Sequence, residues 1–316
     1  MKITVLDTNT VSNGDISLDK ISEYGQTQFF DMLPEEKIIE VAKDSDIIIC
    51  NKAKITENVM KCCPKLKFVT LFATGYNNID LKAAKNRGIT VSNVPGYSTD
   101  SVAQHTFSLI LELSGNLSKY NASVQRGEWA AQEKFCYFAY PLRELCGKTL
   151  GIFGFGDIGH KVAEIGNAFS MRVIASTRSE KSVKNVEFVD KERLFSESDY
   201  LTLHCPLNGQ TENLVNSETL SIMKPSAFLI NTSRGAVVNE HDLSEALKKG
   251  QIAGAAIDVL EVEPMRKNHI YLSTPNMIIT PHIAWATDES RKRLISLVCK
   301  NLKAFISGAP INTVTL

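Results

Sequence analysis

The chain reads as an α/β protein with two domains, each built on a parallel sheet. Three observations predict this. Short apolar or β-branched runs alternate with amphipathic stretches in two separate series, one before residue 100 and one after residue 147. The strands of the second series are nearly all apolar, as expected of strands with helices on both faces of their sheet. A glycine-rich turn follows the first strand of that second series and leads straight into a helical pattern.

In the first series the strand candidates are KITVLD (2–7), TQFFD (27–31), DIIIC (46–50), KFVTLF (67–72) and ITVSNV (89–94). Between them lie helical stretches beginning at Pro34 and Ile55 and one ending at Gly88. Asp100 to Gly115 is a strongly apolar helix of the kind buried between domains, and His105 on it reads as a packing or hydrogen-bonded histidine. Tyr120 to Tyr140 then carries six aromatics, Tyr120, Trp129, Phe135, Tyr137, Phe138 and Tyr140, with no clear period. The second series runs through KTLGIF (148–153), RVIAS (172–176), YLTLHC (200–205), AFLINTS (227–233), IAGAAIDVL (252–260) and NMIITPH (276–282). From Ala284 the pattern is one helix and a short tail.

Composition narrows the function. A chain of 316 residues accommodates two ordinary domains. Lys+Arg and Asp+Glu both number 35, so no net field draws the protein to nucleic acid or to an anionic membrane. The N-terminus lacks the apolar core of a signal peptide, and no apolar run approaches the roughly 18 residues of a membrane helix. The seven cysteines are odd in number and form no CxxC, which points to free thiols in a cytoplasmic protein and to no metal site.

Gly154-Phe155-Gly156-Asp157-Ile158-Gly159 fits G-x-G-x-x-G in the strand-to-helix setting that gives the motif meaning, that of a Rossmann-like dinucleotide fold. Its glycines allow a tight turn and a close approach to a pyrophosphate, which the free N–H groups of the helix start then hold. The next strand of such a fold should end on an acid that holds the ribose hydroxyls of NAD. Here it runs out into Ser176, Thr177 and Arg178, with no acid before Glu180. That absence removes the repulsion toward a 2′-phosphate. Arg178 can pair with the phosphate, and Ser176, Thr177 and Ser179 can donate to it. NADP(H) is therefore the favoured cofactor, with NAD(H) as the alternative.

Open parallel sheets bind ligands beyond the carboxyl ends of their strands. Those ends carry His204-Cys205-Pro206, Thr232-Ser233-Arg234-Gly235, Asp258 and Pro281-His282, with Glu263 five residues after Asp258. A carboxylate against His282 would orient its imidazole as a general acid–base, and Arg234 offers a fork for a substrate carboxylate. His204 reads either as part of the cofactor site or as a plain strand-end residue.

With these motifs in order, the sequence resembles the D-isomer-specific 2-hydroxyacid dehydrogenase family over nearly its whole length. The stretches that carry the resemblance are 73–106, 147–159, LINTSRGAVVNE (229–240), AAIDVLEVEP (255–264) and TPHIAWAT (280–287). It implies a flavodoxin-like substrate domain made of residues 1–100 and 284–316, with the dinucleotide domain, 101–283, inserted in it. It further implies that Arg234 binds the substrate carboxylate and polarises its carbonyl, that His282 is the proton donor in reduction, and that Glu263 pairs with His282. Asp258 resembles the residue at the nicotinamide end of the cofactor. Thr74, Gly75, Tyr76 and the following Asn77 resemble the loop that holds the substrate carboxylate through backbone N–H groups, and Trp285 would shape the substrate pocket.

The reaction so implied moves hydride between NAD(P)H and a small 2-oxo acid. Hydroxypyruvate and D-glycerate are the best match, with glyoxylate also accepted, because TGYNNID, VPGYST and PHIAWAT look most like glycerate dehydrogenases. The NADPH-using hydroxypyruvate reductases also show small polar residues followed by Arg at the position of Arg178. D-lactate, phosphoglycerate and branched 2-hydroxy acids stay open. So does a binding role like that of the dinucleotide-sensing co-repressors that share this fold. The arm within 101–150 resembles the family's dimer-forming segment and predicts a homodimer.

Overall fold

In the computed structural model, which describes residues 1–178 and 182–315, the two alternating series fold into two units. One joins Met1–Ser98 to Trp285–Leu316; the other is Thr99–Ala284. Ser179, considered above for the 2′-phosphate, lies outside the described residues, as does Glu180.

The first unit contains β1 (Lys2–Val5), β2 (Gln26–Phe29), α1 (Glu35–Ala42), β3 (Ile47–Cys50), α2 (Glu57–Cys62), β4 (Phe68–Leu71), α3 (Leu81–Asn86) and β5 (Thr90–Ser92). Among the described residues its five strands pair in parallel in the order β2-β1-β3-β4-β5, the flavodoxin-like arrangement. The apolar run of β3 follows from having both faces buried. Ile48 and Cys50 pack with Ile38, Val59 and Met60 under α1 and α2. Ile47 and Ile49, on the other face, pack with Leu294, Val298 and Leu302 of the C-terminal helix, Asp288–Ile306. Side chains alternate along a strand, so only an unbroken apolar sequence can satisfy two covers. Local caps fix where helices begin: Thr56 accepts from Val59 N, Asp80 from Ala83 N and Thr287 from Ser290 N. At the carboxyl end of β1, buried Asp7 accepts from the N–H groups of Asn51, Lys52 and Ala53 at 3.1, 2.9 and 2.6 Å.

The second unit opens with α4 (Thr99–Gly115) and α5 (Leu117–Gln125). It continues through β6 (Thr149–Phe153), α6 (Asp157–Ala168), β7 (Arg172–Ser176), β8 (Glu187–Phe188), α7 (Lys191–Glu197), β9 (Tyr200–Leu203), α8 (Ser217–Ser221), β10 (Phe228–Asn231), α9 (Glu240–Lys248), β11 (Gly254–Ile257) and β12 (Met277–Ile279). Among the described residues the seven strands are all parallel, in the order β12-β11-β10-β9-β6-β7-β8. This is a doubly wound, Rossmann-like sheet with a further strand, and its order reverses between β6 and β9. Leu150, Ile152, Ile230 and Ala256 face α4 and α6 in one cluster, while Leu201, Leu203, Leu229 and Ile257 face α7 to α9 in the other.

The segment from Tyr120 to Tyr140 holds more order than its composition suggests. α5 covers its start but is amphipathic only weakly, since Ser123 is its one buried residue. The rest is held by side chains rather than by a period: the Tyr120 hydroxyl donates to the Tyr140 carbonyl at 2.7 Å, and the Tyr120 ring meets those of Tyr137 and Tyr140 edge-on. The two-residue strand β8 was likewise too short to signal itself in the sequence.

Buried Asn301 of the C-terminal helix donates to the Asn93 carbonyl and the Thr70 hydroxyl and accepts from Asn312. Asn301→Ala strands these partners and should lower the unfolding free energy by about 2 kcal/mol. Urea denaturation followed by circular dichroism measures it.

Candidate active site

The place where the second sheet reverses its strand order is also where the glycine turn falls. Gly154 follows β6 with φ +94°, and a Cβ there would stand 2.7 Å from the backbone of His204 and Cys205 at the end of β9. Only glycine meets both demands. Its N–H donates to the Ser176 carbonyl at 2.9 Å, so the end of β7 is tied to the turn. Gly156 is the N-cap of α6 and provides no side-chain cap, and among the described residues nothing beyond its chain neighbours comes within 4 Å of where its Cβ would be. A helix start leaves its first N–H groups without intrahelical partners, and the bare Gly156 leaves room for a pyrophosphate to approach them. Phe155 is buried against Phe188 and His160, so only its backbone can serve such a ligand; Asp157 is exposed, Ile158 half-buried and Gly159 buried. Ser176 and Thr177 are half-buried. Arg178 is exposed and joins no ion pair among the described residues.

His204, Cys205 and Pro206 end β9 beside this turn. Among the described residues neither buried His204 ring nitrogen has a hydrogen-bond partner, and burial pushes the imidazole down to about 3. Cys205 is buried, and its thiol is pushed up to about 11, which makes it an unreactive wall rather than a nucleophile. Pro206 is exposed.

The chemistry-bearing groups stand at the ends of β10, β11 and β12. After β10, Asn231 accepts from the Ser233 N–H and hydroxyl and donates to the Arg234 carbonyl at 2.9 Å, which fixes the turn. Thr232 shares a hydrogen bond with Thr106 of α4. Arg234 is exposed, with one guanidinium nitrogen donating to the Ser233 carbonyl. After β11, Asp258 is 1% exposed and turned onto its own chain. Its Oδ1 accepts from the Thr280 hydroxyl at 2.6 Å and from Ile283 N at 2.9 Å, and its Oδ2 accepts from Ala284 N at 2.9 Å. The resemblance assigns Asp258 to the nicotinamide end of a cofactor; the structure shows both of its oxygens engaged in holding residues 280–284. Thr280 gives its proton to Asp258, so it accepts from His105 Nε2 at 3.0 Å.

His282 sits in the middle of that held segment with φ +56°, a left-handed conformation that costs an ordinary residue roughly 1–2 kcal/mol. Its N–H donates to the Asp258 and Thr280 carbonyls, and its Nδ1 donates to Glu263 Oε2 at 2.6 Å. A carboxylate only accepts, so the proton of this bond sits on Nδ1. Glu263 is held in turn by Leu260 N–H at Oε1, 3.0 Å. The pairing of His282 with Glu263 is therefore met within one unit. Asn231, Thr280 and the pair Glu240–His269 were not singled out from the sequence; Asn231 and Glu240 lie inside the LINTSRGAVVNE stretch, and only geometry separates them from its neutral positions.

In the first unit, Thr74 donates through its hydroxyl to the Val94 carbonyl at 2.8 Å, which shapes the turn. Gly75 is half-buried and Tyr76 exposed, so the turn presents both backbone and ring. Trp285 meets Tyr97 edge-on at 6.3 Å.

Two parallel α/β units, one with an open glycine turn at its switch point and a Glu–His pair on the same sheet edge, define a nicotinamide-dinucleotide protein of the two-domain dehydrogenase class. A family model described as D-isomer specific 2-hydroxyacid dehydrogenase, NAD binding domain, matches residues 107–284. A hydroxypyruvate reductase of Blautia hydrogenotrophica is 39% identical over 99% of this chain and 99% of its own. A glycerate dehydrogenase of Methylorubrum extorquens is 39% identical over 88% of each. The solved structure of an acyclic imino acid reductase in complex with NADPH and D-Arg superposes with a TM-score of 0.89 at 33% identity, covering 99% of this chain and 100% of its own. The chain belongs to the D-isomer specific 2-hydroxyacid dehydrogenase family.

The buried His204 sets a pH dependence. Its folded-state value lies below the ordinary 6.5, so as pH falls from about 6.5 toward about 3 the unfolded chain takes up a proton that the folded chain refuses. Stability is present above that window and is lost through it. His204→Leu should flatten the acid limb of the unfolding free energy by up to about 1.4 kcal/mol per pH unit, measured by denaturant titrations between pH 6.5 and 4.

Proposed function

We propose that this protein reduces small 2-oxo acids to D-2-hydroxy acids with a nicotinamide cofactor, hydroxypyruvate to D-glycerate first and glyoxylate second. The observation that carries the reading is the His282–Glu263 pair at 2.6 Å, standing at the carboxyl edge of the sheet that bears the glycine turn. The relatives named hydroxypyruvate reductase and glycerate dehydrogenase support the substrate. When bound, the nicotinamide supplies the hydride that goes to the carbonyl carbon.

The chain's own residues supply the rest. Gly154, Phe155, Gly156, Asp157, Ile158 and Gly159 hold the pyrophosphate through backbone N–H groups at the start of α6. His204, Cys205, Pro206, Thr232 and Ser233 wall the cofactor. Arg234 pairs with the substrate carboxylate and polarises the carbonyl to be reduced. His282 donates the proton from Nε2 to the forming alkoxide, and Glu263, at Nδ1, keeps the ring oriented and balances its charge. By the same resemblance Thr74, Gly75, Tyr76 and Trp285 take part in substrate binding. Asp258 serves by fixing the segment from which His282 projects.

NADPH is the preferred reductant. Ser176 and Thr177 stand where an acid would repel a 2′-phosphate, and exposed Arg178 supplies the charge to hold one. The reductase complexed with NADPH is a neighbour with that cofactor. The protein acts in a reducing, cytoplasmic compartment, a reading supported by seven free cysteines. Among the described residues no helix is long and apolar enough to cross a membrane. It forms a homodimer through the aromatic arm, where Phe135 is 89% and Phe138 80% exposed, large apolar surfaces that call for a cover.

Turnover of hydroxypyruvate, glyoxylate and pyruvate with each reduced cofactor tests the activity; no consumption of any of them sinks it and leaves a binding role. His282→Ala and Arg234→Ala should each lower kcat/KM by about 100-fold or more. Arg178→Ala should raise KM for NADPH about tenfold and leave NADH use largely intact. Better native efficiency with NADH refutes the preference. Sedimentation velocity tests the dimer: Phe135→Asp with Phe138→Asp should yield a monomer, and a native monomer overturns the assignment.

A further inference from the structure

Neither Glu240 nor His269 belongs to the Arg234, Glu263 and His282 set, yet both groups are nearly buried and bonded to each other at 2.9 Å, with side chains 17% and 10% exposed. Glu240 is the first residue of α9, a helix whose start is fixed by the Asn239 cap. Its Oε2 accepts from His269 Nε2. Its Oε1 reaches across and accepts from Glu261 N–H at 2.9 Å. His269 is equally constrained: its Nδ1 accepts from Tyr271 N–H at the head of the short turn Ile270–Ser273, so the ring proton sits on Nε2, pointing at Glu240. The His269 ring also lies 5.0 Å from that of buried Tyr271. A carboxylate with two directed donors and two rigid mounts has one position.

The point that Glu240 grips is the joint of the candidate site. A Cβ on Gly235 would overlap the Leu260–Glu261 peptide, so the residue after Arg234 lies directly against the loop that carries Glu263. Glycine is required here by close approach, not by its φ. On the same loop, Leu260 N–H donates to Glu263 Oε1, whose other oxygen takes the His282 Nδ1 proton. Displacing Glu261 by a fraction of an ångström therefore moves the Arg234 turn on one side and the Glu263 carboxylate on the other.

We propose that Glu240 and His269 form a latch which positions Arg234 and Glu263 together by clamping the Leu260–Glu261 peptide against Gly235. The proposal rests on the reading of Arg234, Glu263 and His282 given above. Both latch residues are positioning residues that touch neither substrate nor cofactor. Because the latch holds a substrate-binding group and a proton-transfer group by one peptide, its loss affects KM and kcat together, while the cofactor turn at α6 is untouched.

Two measurements on the full chain test this. In the first, the His282 Nδ1 proton, hydrogen-bonded to Glu263, is followed as a downfield proton resonance, assigned by its loss in Glu263→Gln. Glu240→Ala should broaden or abolish it. His269→Ala should weaken it, and His269→Gln, which keeps a donor where Nε2 stood, should restore it. In the second, Glu240→Ala should raise KM for the 2-oxo acid and lower kcat, each by about tenfold, with reduced-cofactor binding by fluorescence within about twofold of native. Glu240→Gln, which keeps the length but turns a donor toward one of the two N–H groups, should fall between native and Ala, and it replaces Glu240→Ala if that variant does not fold. Native resonance and native kinetics in the Glu240 variant overturn the latch. So does a lowered melting temperature with the resonance intact, or His269→Gln behaving no better than His269→Ala. A native protein that turns over no 2-oxo acid sinks the reading of the site instead, and the resonance then still decides the latch.

Discussion

The candidate site depends on a single buried carboxylate. Asp258 follows β11 at 1% exposure and accepts from Thr280, Ile283 and Ala284, donors that flank His282. A buried ionised group is tolerated only when its lone pairs are filled by well-aimed donors. Here the filling groups belong to the segment that must be held, so satisfying the charge and fixing the backbone are the same event. His282 is left with a left-handed backbone, which its two carbonyl acceptors and the anchored neighbours maintain.

From that anchor outward, burial falls and chemistry rises. Asp258 and Asn231 are buried, the Glu240–His269 pair is nearly buried, and the His282 and Glu263 side chains are 25% and 31% exposed. Arg234 lies outermost. The order is physically sensible, because a group that positions others gains from low dielectric and fixed partners, while one that meets a reactant has to be reached.

Most of the fold was legible because both sheets are covered on two faces. Continuous apolar runs such as IIIC and FLIN can be nothing else between helical stretches, and the glycine turn marks which sheet reverses around a ligand. α5 was hidden because a helix that buries only Ser123 leaves no apolar stripe to read. The candidate site was legible in its types but not in its joints. Arg234, Glu263 and His282 stand out as ionisable groups at or just beyond strand ends. Glu240 does not, since an acid in the first turn of a helix is ordinary, and its partners at 261 and 269 lie across a loop whose path only the packing of Gly235 reveals.

The same reasoning explains the unpaired His204. A buried imidazole without a hydrogen-bond partner is costly, and burial drives it neutral instead of leaving it charged. Its backbone lies against Gly154, where no side chain fits, so the end of β9 is placed by the needs of the glycine turn and not by those of the imidazole. A neutral ring beside the glycine turn adds no charge to the field of the α6 N-terminus. The cost carried by His204 is thus local, and the electrostatics of the turn are left to the helix start.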